Sequence, residues 1–324
     1  MRIALGMLVV ATAFGQTNGS LVLRFVNTAG TQERQAVANS LRAVADVPQA
    51  VVDDSAATVA LSGSPAQLTL AQWLFRELDQ PGTPGTHQYN VPGGTDDIVQ
   101  VFYLKTPQTP QQLQEIVNAA RSITDLQRVV AVNGPKLIAA RGQGVRIAAA
   151  AWLINDLDQA SSPGLHTYGV QMPDRAPLIA TVRLANTSSP QTMQEIVNTV
   201  RSMADLPRVV VANGPRFLAM RGDPAQIALG EWIIAQLDQK SAPRGVQQYT
   251  GAWINWAPGQ SARVYFLSHV NTAQSLQDVV NQVRTTAHAQ YVLSFPELQA
   301  VALRATSAQV AQADQIIAAA DQGK

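Results

Sequence analysis

The sequence predicts an α+β protein of four tandem β-α-β-β-α modules, each a three-stranded sheet with two helices on one face. Two observations carry this prediction. The first is a constant displacement of 80 residues: Gln114-Glu115-Ile116-Val117-Asn118 returns as Gln194-Glu195-Ile196-Val197-Asn198, Arg128-Val129-Val130 as Arg208-Val209-Val210, Asn133-Gly134-Pro135 as Asn213-Gly214-Pro215, and Arg141-Gly142 as Arg221-Gly222. The second is that each copy alternates short β-prone runs with apolar positions at three- and four-residue spacing. A constant displacement means tandem duplication of a structural unit, and such arrays usually work as scaffolds or binding surfaces.

In the second copy, residues 99–104 read as a strand, and Thr109-Pro110 follows as a cap with proline at the first helical position. Leu113, Ile116, Val117, Ala120 and Ile123 then form the buried stripe of an amphipathic helix. The third copy repeats the stripe as Met193, Ile196, Val197, Val200 and Met203. Residues 128–132 and 137–140 are β-prone runs joined by Asn-Gly-Pro, and Asn-Gly favours the positive backbone angles of a tight hairpin turn.

A second helix is signalled by Ser64-Pro65, by Asp223-Pro224 and by Thr306 in the last copy. Its core stripe is Leu68, Ala71, Phe75 and Leu78 in the first copy, and Ile227, Gly230, Ile234 and Leu237 in the third. The modules so defined span residues 20–80, 97–159, 177–239 and 261–322. Between them lie Pro/Gly-bearing linkers at residues 81–96, 160–176 and 240–260, each with a recurrent tyrosine (Tyr89, Tyr168, Tyr249) and each a candidate to add a strand to its neighbour. The fourth copy departs from the others, with no Asn-Gly-Pro turn and no Leu-Asp ending.

Residues 1–15 have the basic start, apolar run and small-residue end of a secretory signal peptide, so export to a periplasmic or extracellular space is expected. Removing Arg2 with it takes the formal net charge from +1 to about 0, which argues against steering toward nucleic acid. Charged residues make up only 14%, so a highly charged partner is not advertised. The chain has no cysteine, which excludes disulfides, thiol catalysis and Cys-ligated zinc. No later run is apolar and long enough for a membrane-spanning helix.

The β-α-β-β-α order, the run Val101-Phe102-Tyr103-Leu104-Lys105 before the first helix, and the closing Leu78-Asp79, Leu157-Asp158 and Leu237-Asp238 resemble the short periplasmic ring-forming domains of secretins. The resemblance covers about residues 20 to 322. It implies domains that stack or associate side by side, none of them catalytic. It does not extend to the secretin channel, since the sequence ends just after the fourth module.

Trp73, Trp152 and Trp232 occupy one position of the second helix in three modules, nearly opposite the core stripe. A tryptophan on a polar helix face needs a partner, because burying one removes on the order of 200 Å2 of surface from water. They are expected to pack against the following linker or module, with a partner-binding row as the alternative. Gln315, at the same position of the last module, would then mark a terminal cap.

Trp253 and Trp256 break the repeat pattern and are candidates for a ligand or partner surface. His87, His166, His269 and His288 lack any metal-ligand spacing and read as polar surface. Asp53-Asp54 and Asp96-Asp97 read as solvated turn formers rather than an acid/base pair. No nucleophile elbow or phosphate loop is present, and no Gly-x-x-Gly loop joins two helices beside a basic face. Arg121, Arg128 and Arg141 recur as Arg201, Arg208 and Arg221, through function or recent duplication alike.

The sequence therefore points to a non-catalytic, exported repeat protein without cofactor or metal, acting by self-association or association with a protein partner. A scaffold or accessory of an envelope or secretion assembly is the preferred role. Binding of glycan or a small ligand through linker aromatics is the alternative.

Overall fold

The computed structural model describes residues 19–81, 85–93, 97–107, 109–159, 164–170, 177–251 and 259–322. The chain divides into two compact units, Met1–Ser161 and Ser162–Lys324, each holding two modules. The first unit runs β1 (Gly19–Arg24), α1 (Thr31–Ala45), β2 (Gln49–Asp53), β3 (Thr58–Gly63), α2 (Pro65–Leu78), then β4 (Gly85–Asn90), β5 (Asp97–Tyr103), α3 (Pro110–Thr124), β6 (Arg128–Val132), β7 (Leu137–Gln143) and α4 (Gly144–Asp158). The second repeats the pattern with β8 (Leu165–Gly169), β9 (Leu178–Arg183), α5 (Pro190–Met203), β10 (Arg208–Ala212), β11 (Phe217–Gly222), α6 (Pro224–Leu237), β12 (Gly245–Gln248), β13 (Gln260–Phe266), α7 (Ala273–Thr286), β14 (Tyr291–Phe295), β15 (Ala300–Thr306) and α8 (Ser307–Ala320).

Among the described residues, four antiparallel sheets result, ordered β1-β3-β2, β4-β5-β7-β6, β8-β9-β11-β10 and β12-β13-β15-β14. Only the first is three-stranded. In the other three a linker strand pairs with the first strand of the module after it, as Tyr89 opposite Val99 and Tyr168 opposite Ile179. The pairing satisfies linker backbone that would otherwise need water.

The helix starts follow their capping residues. Ser64 and Thr306 form reciprocal capping boxes with Gln67 and Gln309, while Thr109 accepts from Gln112 N without the return bond. Each first helix stops at a residue in the left-handed region or just before one: Asp46, Asp125, Asp205 and His288, with φ between 52° and 62°. Their carbonyls are then taken by a long side chain from the start of the second helix, Gln67, Arg146, Gln226 and Gln309.

The hairpin turns differ from the expectation. Gly134 does not adopt a positive φ; Lys136 and Arg216 do, at 51° and 55°. The loop is a four-residue turn closed by Lys136 N donating to Asn133 O at 3.1 Å, so Asn-Gly does not form the two-residue turn that the dipeptide suggested. Ala57 and Gln299 repeat the left-handed residue in the two modules that lack Asn-Gly-Pro.

Among the described residues, a core runs across the module boundary in each unit. In the first unit, Leu41, Val44, Leu74 and Phe75 pack in one cluster with Val99, Val101, Leu137 and Ala139 of the following module. The second unit repeats this with Val197, Val200, Ile233 and Ile234 beside Val264, Phe266, Ala300 and Ala302. The second sheet of each pair therefore has both faces covered.

Candidate functional site

Strand alternation divides the β5-β7-β6 sheet into two apolar faces. Phe102, Val129, Ile138 and Ala140 point to one side, while Val101, Val130 and Ala139 point to the other and align across the three strands. Helix α1 lies on this second face, against β6 and β7. In the second unit, α5 lies in the same way on β14 and β15, over the matching row Val264, Leu293 and Ala302.

The helix approaches closely because its tenth residue after the N-cap is small. Ser40 and Thr199 hold this position, both only 2% exposed, and each returns its hydroxyl to the carbonyl four residues earlier. At the last module the same position is Gln282, and it is exposed.

Charged groups fix the helix end. Arg141 makes a bidentate pair with Asp97 of its own sheet, Nη2 to Oδ2 at 2.6 Å and Nε to Oδ1 at 3.1 Å, and donates its remaining terminal nitrogen to Val44 O of α1 at 3.0 Å. That bond supplies one of the last carbonyls of α1 with a donor. Arg128 adds a 3.1 Å contact to Asp46 at the helix stop. The counterpart of Arg141 in the second unit is Arg304, only 4% exposed, whose guanidinium lies 3.8 Å over the Tyr291 ring. Burial holds its pKa below the ordinary arginine range.

The tryptophans sit at the second contact of each joint. Trp73 meets Tyr89 with ring centroids 5.3 Å apart, and Trp232 meets Tyr249 at 5.6 Å. Trp152 is half-buried at the equivalent place on α4, and Gln315 is exposed. Trp253 and Trp256 lie outside the described residues. Below Trp73, Glu77 accepts from His87 Nδ1 at 2.6 Å and from the Tyr103 hydroxyl at 3.1 Å, so His87 belongs to the linker contact. Burial, then the Glu77 charge, push the Tyr103 phenol well above its ordinary pKa. Burial likewise raises Tyr265, which donates to Asp314 at 2.9 Å.

The acidic pairs separate. Asp53 is a turn former whose carboxylate is held below its usual range, first by the Ser55 hydroxyl and then by the Ala56 N–H. Asp97 is not a solvated turn residue but a strand residue committed to Arg141. Among the described residues no group of three or more His, Asp or Glu side chains is placed to hold a metal. The repeated Arg121 and Arg201 donate to Val129 O and Val209 O at 2.7 and 2.9 Å, and the diverged fourth module keeps the bond through Arg284 and Val292 O at 3.0 Å.

A further repeated contact was legible only in part. Asp79, Asp158 and Asp238, the ends of the Leu-Asp pairs, accept backbone N–H groups from the loop after the first strand of their own module. The fourth module does this through Asp321, which accepts from Ser268 and His269. The leucine is lost there, as Ala320, but the carboxylate is kept.

No protein-family model matches the chain, and no curated protein matches it. Solved structures do. The N-terminal domain of the secretin XcpQ from Pseudomonas aeruginosa is 16% identical over 65% of this chain and 76% of that one, with a TM-score of 0.23. Aeromonas hydrophila ExeD is 14% identical over 90% of this chain and 59% of that one, with a TM-score of 0.17. The chain is similar to the N-terminal domains of secretins.

Proposed function

We infer that this chain is a non-catalytic association protein whose modules recognise neighbours through the outer faces of their sheets. One observation supports the reading above the others. In both units the first helix of one module seats on the second face of the next sheet by the same construction, with a small residue at the centre and an apolar row beneath. A surface used twice inside the chain for docking is a ready means of docking other proteins.

A scaffold or accessory role in an exported assembly fits the leader-like residues 1–15 and the even charge balance. Those leader residues lie outside the described part, and no described helix is long and apolar enough to cross a membrane. The test is in-cell crosslinking of the full chain in its native host. Reproducible crosslinks to envelope proteins are expected; a chain recovered uncrosslinked and without self-association overturns the reading.

A further inference from the structure

The outer face of the first sheet carries the same apolar row as the joints, but exposed. Val22, Ala60 and Val51 align across β1, β3 and β2, in the register of Val101, Ala139 and Val130. Val22 and Val51 are 55% and 63% exposed, and Ala60 is exposed as well.

The surround has changed while the row has not. Where the second module places Tyr103, Leu137 and Val132 around its row, the first places Arg24, Thr58 and Asp53. Arg141, which ties the seated helix by its backbone, is replaced by Ser62. A permanent joint would keep the apolar surround and the tie. A face with no partner would lose the row, since exposed valines gain nothing from water. An apolar centre within a polar rim is the composition of an interface that forms and dissolves.

We propose that the row Val22-Ala60-Val51 is a reversible docking site for an amphipathic α-helix of another protein, one presenting a small residue flanked by aliphatic residues three before and four after it. This rests on the association reading and names the partner chemistry. The helix type follows from the two internal occupants: Val37, Ser40 and Val44 on α1, and Ile196, Thr199 and Met203 on α5. A second copy of this chain is the poorer occupant, because α7, the first helix of its last module, offers exposed Gln282 at the small-residue position and exposed Thr286 beyond it. Helices α1, α3 and α5 are already buried on this side, α3 through Ile116, Ala119 and Ile123.

The test uses the full chain and a fluorescent peptide of residues 188–206 carrying Gln194→Lys and Asn198→Asp, held helical by a lactam between those two exposed positions. Micromolar binding is expected, weakened at least about tenfold by Val51→Asp, where an introduced charge loses about 1.4 kcal/mol or more of contact. Val246→Asp, on exposed β12, should leave it unchanged. Ala60→Phe separates docking from stickiness: it adds apolar surface yet blocks the close approach, so a docked helix binds worse and a nonspecific one better.

No binding at millimolar peptide, equal loss with Val246→Asp, or tighter binding to Ala60→Phe overturns the proposal. So does self-association of the chain that Val51→Asp abolishes. If in-cell crosslinks persist in Val51→Asp, the docking site fails and the association reading stands; if wild type gives none, the association reading itself fails.

Discussion

Asp321, the residue after α8, accepts the backbone N–H of Ser268 at 2.8 Å, the bond that Asp79 makes with Val26 at 2.7 Å in the first module. The two modules share little sequence, yet the carboxylate and the loop amides it gathers are retained. Asp79 takes three successive N–H groups, from Val26, Asn27 and Thr28, and is only 6% exposed. Truncating it to alanine strands those donors, so Asp79→Ala should cost about 2–4 kcal/mol, given about 1.5–3 for a charged hydrogen bond and further desolvation loss. Denaturant unfolding monitored by tryptophan fluorescence reads this directly. A loss below about 0.5 kcal/mol would show the clasp to be incidental.

Removing Arg141 strips Asp97 of its bidentate partner and Val44 O of its donor. Arg141→Met should destabilise the first unit by about 2–4 kcal/mol, because a half-buried charge is left without its cation. Arg141→Lys should recover only part of this, since one ammonium cannot hold both Asp97 oxygens and the carbonyl. Hydrogen exchange should localise the loosening to the end of α1.

The small residue under each seated helix predicts an asymmetry. Ser40→Leu or Thr199→Leu overfills a joint and should cost about 1–3 kcal/mol. Gln282→Leu, at the corresponding but exposed position, should stay within about 0.5 kcal/mol of wild type. Equal effects at the three sites would mean that position alone, not the joint, sets the requirement.

Trp232 and Tyr249 hold the linker at the second joint. A double-mutant cycle of Trp232→Gln with Tyr249→Leu should return a coupling of about 0.5–1.5 kcal/mol. Additive losses would assign the tryptophan to packing within its own module.

Alkaline pH should weaken the contact of Tyr103 with Glu77 and that of Tyr265 with Asp314. Tyr103 and Tyr265 have folded pKa values above the unfolded one, so their contribution is complete below about pH 10 and is lost as pH rises beyond it. In Tyr103→Phe the decline in stability above that pH should be shallower. An unchanged slope would locate the alkaline sensitivity elsewhere.

The elements were readable because each obeys a period: Leu113, Ile116, Val117 and Ala120 mark a helix face, and Ser64, Thr109 and Thr306 mark helix starts. The joints were harder, because strands covered on both faces show no alternation. In residues 128–132 and 137–140, Val130 and Ala139 look the same as Val129 and Ala140, although they serve different modules. The signal lay in comparison with β1, where Ser20 and Arg24 flank Val22 on one face while Leu21 and Leu23 fill the other. Asp321 was missed because Leu-Asp was read as one motif, when the leucine only fills space and the aspartate bonds. The asparagine-glycine dipeptide misled because the loop is a four-residue turn whose left-handed residue is Lys136 rather than Gly134.

The cores that run through each pair also decide how the chain comes apart. Cutting between α2 and β5 would lay bare Val99, Val101, Leu137 and Ala139, now buried beneath the preceding module. A single module excised there carries an adhesive face into solution. A piece that keeps these side chains out of water must therefore hold both modules of a pair, and the pair should melt as one cooperative transition.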